Sequence, residues 1–192
     1  IEAIWSGLQD CYADLRSNVK KLYDGIEIES LAAIGVSAMM HGYMPFNEKE
    51  EILVPFRTWR NTNTGRAAAE LSELFVYNIP LRWSISHLYQ AILNNETHVK
   101  DIKFLTTLAG YVHWQITGEK VLGIGDASGM LPIDPATNNY STEMVEKFDN
   151  LIAPKEYNWK LENILPKVLS AGENAGVLTP EGSRKLDVSG HL

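Results

Sequence analysis

The chain has 192 residues, 45% of them apolar and 21% charged, an ordinary composition for a globular domain. Seventeen basic against 24 acidic residues leave a formal charge of −7, which argues against a basic nucleic-acid-binding surface. Cys11 is the sole cysteine, so disulfide scaffolds and cysteine-based zinc sites are excluded and a reducing, cytoplasmic setting is expected. No run approaches the roughly 18 apolar residues of a membrane span, and no basic-then-apolar leader opens the chain.

Ile1, Ile4, Trp5, Leu8, Tyr12, Leu15, Val19 and Leu22 recur at helical spacing. No capping residue precedes Ile1, which reads as a start inside a helix. Leu31 to Met40 is nearly all apolar and bounded by turn residues, and it reads as a strand buried on both faces. Tyr43–Phe46 and Ile52–Phe56 flank the charged tip Asn47–Glu51 and predict a hairpin. Pro45 and Pro55 point to an edge position for it. Asn61–Thr64 reads as a polar loop, and Arg66–Phe75 and Ser84–Leu93 as helices. Ile102–Thr106 is a candidate strand that feeds a helix from Leu108 to Ile116, with Gly118 as its C-cap. Glycines 123, 125 and 129 then punctuate an irregular stretch. Thr142–Leu151 and Leu161–Leu169 read as short helices, and Thr179-Pro180-Glu181 has the form of a helix start. Strands interleaved with helices point to an α/β fold.

Several chemistries find no support. There is no phosphate loop of the Gly-x-x-x-x-Gly-Lys type and no His-Glu-x-x-His. The five histidines have no paired ligand spacing, so no metal site is expected. Gly123-x-Gly125-x-x-x-Gly129 misses the dinucleotide spacing by one residue. Ser37 in Gly35-Val36-Ser37-Ala38-Met39 stands where a hydrolase nucleophile would. The second glycine of that elbow is missing, so a small residue packed inside a sheet is the preferred reading.

His41 follows the apolar run and precedes Gly42. Ligands of α/β sheets bind at the carboxyl ends of strands, so His41 is either a ligand contact or a histidine satisfied in a turn. Trp59-Arg60-Asn61 likewise follows a strand and joins a flat apolar face to two hydrogen-bonding side chains. That combination suits a sugar, whose C–H face packs on indole while its hydroxyls take polar partners. A core tryptophan beside a solvated loop is the alternative. Arg82-Trp83 repeats the theme at the start of a helix. Asp126, between Gly125 and Ala127-Ser128-Gly129, has the setting of a turn former.

Taken together, Ile34-Gly35-Val36-Ser37-Ala38-Met39-Met40-His41-Gly42, then Pro55-Phe56-Arg57-Thr58-Trp59-Arg60-Asn61, resemble the N-terminal domain of FGGY carbohydrate kinases, and most of all the xylulokinase-like members. The resemblance continues in order through Gly110-Tyr111, Ile116-Thr117-Gly118, Gly125-Asp126-Ala127-Ser128-Gly129, Leu165-Pro166-Lys167-Val168-Leu169 and Gly172-Glu173. It implies a ribonuclease H-like α/β fold of the actin and sugar-kinase superfamily, with residues 1–192 as a partial N-terminal, sugar-binding domain. It implies an ATP-dependent kinase that uses magnesium to transfer the γ-phosphoryl group to a hydroxyl of a ketose such as xylulose. Carried over residue by residue, the sugar contacts fall on Met40, His41, Trp59, Arg60, Asn61, Trp83 and Asp126. Arg60 and Asn61 replace an amide and an acid, and Met39 stands where glutamine is frequent, so the hydroxyl pattern recognised differs. The resemblance places the Asp-x-Gly-Thr hairpin ahead of this stretch, and the general-base aspartate and ATP-binding domain beyond it. No catalytic residue is therefore expected within residues 1–192, which should be inactive alone. It names a sugar and ATP as partners, no nucleic acid or membrane, and leaves homodimerisation open. A non-catalytic sugar-binding domain on the same fold and a hydrolase built on Ser37 are the alternatives.

Overall fold

The computed structural model describes all 192 residues. In chain order the helices are α1 (Glu2–Leu22), α2 (Gly65–Phe75), α3 (Ser84–Leu93), α4 (Leu108–Thr117), α5 (Ile124–Ala127), α6 (Thr142–Ile152), α7 (Leu161–Ile164) and α8 (Pro180–Leu186). The strands are β1 (Gly42–Phe46), β2 (Arg57–Thr58), β3 (Phe104–Thr106), β4 (Val121–Gly123), β5 (Ile133–Asp134), β6 (Asn139–Tyr140) and β7 (Lys167–Leu169). The chain divides into two units. One comprises Ile1–Val36, Val112–Glu119 and Ala175–Leu192, and the other Ser37–Tyr111 and Lys120–Asn174.

In the first unit α1 buries Trp5 and Tyr12, and the Lys185 ammonium of α8 lies 4.5 Å from the centre of the Trp5 ring. The predicted start of α8 is correct: Thr179 Oγ1 accepts the Gly182 N–H at 3.0 Å, a side-chain cap followed by proline. Asp187 accepts from Arg16, from the Ser189 hydroxyl and from the backbone N–H groups of Ser189, His191 and Leu192. Burial alone would raise its pKa, but these donors hold it down at about 2.

The second unit holds the larger core, built around Tyr43, Leu71, Ile85, Leu88, Ile92, Leu105, Leu131 and Phe148. Its three-stranded antiparallel sheet has the order β2-β1-β3. β1 is buried at all five positions and pairs Met44 with Thr106 and Phe46 with Phe104 on one side. On the other side it pairs Gly42 with Thr58 and Tyr43 with Arg57. β4 and β7 pair in parallel, Val121 with Lys167 and Gly123 with Leu169, across a helical crossover. α3 is buried on nearly every side, as an apolar helix of a core should be.

The structure corrects four expectations. Leu31 to Met40 is irregular and largely exposed rather than a buried strand, because no segment of the chain supplies a ladder for it. Ser37 is consequently exposed, in neither an elbow nor a packed strand. Pro45 lies in the central strand and not at an edge. Its carbonyl accepts from the Leu53 N–H at 2.9 Å, and its missing N–H falls on that same side. There the hairpin's second arm keeps only a single bridge, Phe46 with Ile52, before β2. Finally, the predicted helix Leu161–Leu169 stops at Ile164. Leu165 takes ψ 150° because Pro166 disfavours the helical region for the residue before it, and the rest becomes β7.

Two packing features carry predictions. Gly110 on α4 faces the Thr106 hydroxyl and sits where a β-carbon would lie 2.7 Å from Leu122 Cδ2. Gly110→Ala should cost about 1–3 kcal/mol through overpacking, read as a lower denaturant midpoint. His87 is 1% exposed, and its Nε2 has no hydrogen-bond partner. Burial, helped by the Arg57 charge, lowers its pKa to about 4. The folded state therefore binds the His87 proton more weakly than the unfolded one. Its contribution is complete above the unfolded value near 6.5 and is lost as pH falls toward 4, on the order of 3 kcal/mol in all. In His87→Leu, stability between pH 6.5 and 4 should fall less steeply, measured by urea unfolding at stepped pH.

Candidate functional site

β1 begins where β2 and β3 end, so the amino end of one strand and the carboxyl ends of two others share one edge of the sheet. Gly42 and Thr58 are the last pair on the β2 side. The next positions outward are His41 and Trp59, each opening an irregular segment. His41 thus stands ahead of a strand and not behind a buried one, but Trp59-Arg60-Asn61 does follow a strand as expected. The Ala109 N–H at the start of α4 reaches the Met39 carbonyl at 3.4 Å from the same side.

Glycine makes the approach of these segments workable. Gly42 has φ +128°, and a β-carbon there would meet the Arg57 carbonyl at 2.6 Å. A β-carbon on Gly129 would lie 2.6 Å from both the Met40 carbonyl and His41 Nδ1. The Asp126–Gly129 turn therefore lies directly against Met40 and His41. The Arg82-Trp83 segment joins them through its helix. Ser84 Oγ donates to the Gly42 carbonyl at 2.6 Å, and the Ile85 N–H donates to the Met130 carbonyl at 3.1 Å.

His41 Nδ1 lies 3.4 Å from the Gly129 carbonyl. A carbonyl only accepts, so Nδ1 carries the proton, and in the neutral ring Nε2 is left as an acceptor. Burial lowers the His41 pKa; the Gly129 carbonyl and Asp126 act against that and Arg82 adds to it. Asp126 sits in the single turn of α5, half-buried. Burial raises its pKa and the His41 charge opposes the rise. No side chain or N–H group of the chain bonds its carboxylate, so its acceptor capacity is open.

Trp59 is 46% exposed, with the Arg60 guanidinium 5.2 Å from its ring centre. Asn61 is held by its own N–H on the Thr58 carbonyl at 2.9 Å, and its Oδ1 accepts from the Asn63 N–H at 3.1 Å. Trp83 is half-buried at the N-cap of α3, its ring 6.4 Å from that of Tyr77. Met40, His41 and Asp126 are thereby joined directly or through Gly129, and Trp83 is tied to the same strand entrance through Ser84 and Gly42. Trp59, Arg60 and Asn61 reach the same edge through β2. Sequence reasoning passed over Gly42, Ser84 and Gly129 as parts of this arrangement. Their signal is glycine next to a candidate ligand on two separated segments. The edge offers a flat indole, two carboxylate or imidazole acceptors and two side chains rich in donors, a set that matches a polyhydroxylated ligand.

The chain belongs to the FGGY family of carbohydrate kinases: the profile of that family's N-terminal domain matches residues 1–189. It is 25% identical over 159 residues to a xylulose kinase of Haemophilus influenzae, a stretch covering 77% of this chain and 31% of that protein. Among solved structures, the xylulose kinase of Rhodospirillum rubrum aligns with a TM-score of 0.75 at 17% identity, over 95% of this chain and 37% of that one. The gluconate kinase of Lactobacillus acidophilus aligns at 0.73 and 16% identity, over 96% of this chain and 36% of that one. The chain spans about a third of the length of the relatives it matches. The fold is the α/β fold of the actin and sugar-kinase superfamily, as the resemblance implied.

Removing the Asp126 charge takes away one of the two influences that support the His41 cation. Asp126→Asn should therefore move the His41 pKa further below its ordinary value, measured by NMR titration of the imidazole Cε1–H.

Proposed function

We propose that residues 1–192 form the sugar-binding part of an ATP-dependent kinase that phosphorylates a hydroxyl of a ketose such as xylulose. The observation that carries this reading is the placement of His41 against the Asp126–Gly129 turn at one sheet edge, within a chain of the FGGY family. In this reading the indole of Trp59 packs on a C–H face of the sugar. His41 Nε2 and the Asp126 carboxylate accept from hydroxyls, Arg60 and Asn61 donate to hydroxyl oxygens, and Met40 and Trp83 close the apolar side. Xylulose kinase is the name of two of the relatives and gluconate kinase of the third, so ketoses come first and sugar acids second among substrates to try.

Phosphoryl transfer depends on positioning both substrates and neutralising the charge that moves between them. On the family resemblance, we assign the nucleotide, magnesium and the general base to parts of the kinase outside residues 1–192, and expect these residues alone to bind sugar without turning it over. The role of this chain is to desolvate and orient the acceptor hydroxyl.

In the full-length protein, His41→Ala and Trp59→Ala should each raise the sugar KM roughly tenfold, the equivalent of one good polar or stacking contact. The ATP KM should stay where it is. Steady-state kinetics with xylulose, and then with gluconate, check this. Unchanged sugar kinetics in both variants remove those residues from the site. A wild-type protein that binds sugar but transfers no phosphate from ATP would show a non-catalytic binding domain instead.

A further inference from the structure

Behind the candidate site lies a closed ring of four side chains that sugar contact does not use. Tyr43 is fully buried in β1, and its hydroxyl lies 2.8 Å from His98 Nε2. His98 Nδ1 lies 3.6 Å from the Glu96 carboxylate. Glu96 takes both terminal nitrogens of Arg57 in a two-pronged pair, and the Arg57 guanidinium returns to the Tyr43 ring at 5.3 Å. A bare Nδ1 lone pair would face a carboxylate, so Nδ1 carries the proton and Nε2 accepts from the Tyr43 hydroxyl. Every member then meets a partner of the opposite character.

The position of this ring gives it a consequence. Tyr43 and Arg57 are paired across β1 and β2. One step outward is the last rung, Gly42 with Thr58, and beyond it the chain opens into His41 on one side and Trp59-Arg60-Asn61 on the other. β2 has only two residues, too few to hold its register by ladder bonds alone. A planar guanidinium fixed at both prongs sets direction as well as distance.

We propose that Arg57, Glu96, His98 and Tyr43 form a positioning clamp that fixes the departure of the Trp59–Asn61 segment from the sheet and thereby sets sugar affinity. The kinetic part of this inference rests on the sugar-kinase reading above; the structural part does not.

The test uses Arg57→Lys, which keeps the charge but cannot make the two-pronged pair, and Glu96→Gln, which keeps the shape but not the charge. In the full-length protein, amide exchange at Thr58–Asn61 should accelerate about tenfold in each variant while α3 keeps its protection. The KM for xylulose should rise several-fold, with kcat and the ATP KM held within roughly twofold. Tyr43→Phe should move both readouts the same way by less. Exchange that rises equally in α3, or not at all, overturns the clamp, as does an unchanged sugar KM in an active enzyme. If the wild type phosphorylates no sugar and exchange still rises only at Thr58–Asn61, the clamp stands and the kinase reading falls.

Discussion

The segment Met40–Gly42 makes two contacts too close for a β-carbon, Gly42 against Arg57 and Gly129 against Met40 and His41. Much else in the larger unit follows from them. Gly42 permits the positive φ that turns the incoming chain into β1, the central strand on which β2 and β3 both depend. Gly129 lets the turn after β4 lie against that strand's entrance. The two contacts bring three segments distant in sequence to one sheet edge, and they do so through backbone, which leaves the His41 and Asp126 side chains for other work.

The electrostatics of that edge follow from the same closeness. His41 and Asp126 are each partly desolvated; the Gly129 carbonyl and then Asp126 relieve His41, and the His41 charge relieves Asp126. Neither finds a full ion pair. The imidazole keeps one nitrogen tied to a carbonyl and the carboxylate has no donor from the chain. In the proposed sugar-binding reading, a ligand's hydroxyl groups would complete that bonding. The charge of the Arg57–Glu96 pair, by contrast, is spent within the fold.

Much of this was legible in the residues. The helices α1, α2, α3, α4 and α6 stand where their apolar spacing and caps put them, Gly118 with φ +80° included, because each buries a face the sequence already marks. The site residues were legible as a group only through the resemblance, since His41 and Asp126 are 85 positions apart and no periodicity connects them. What the sequence misled about was context. Leu31–Met40 has a strand's composition, but composition does not provide a neighbouring strand. Pro45 is tolerated at the sheet's centre only because the arm beside it is irregular. Leu161–Leu169 was split by the effect of Pro166 on the residue before it, a local rule outweighed in the reading by apolar spacing.

The sheet of the larger unit also bears on how the chain folds. β1 meets β3 only after α2 and α3 have intervened, and β4 meets β7 only after α6 and α7. Such pairings close long loops before any contact rewards them, which slows folding. The α2–α3 pair, local and richly apolar, can form early, as can the short β1–β2 hairpin, whereas β1 gains β3 late. Since β1 carries the candidate site at its entrance, that edge is complete only once β3 has joined the hairpin. A ligand that binds the completed edge and not the unfolded chain would therefore hold the long-range pairing in place by mass action.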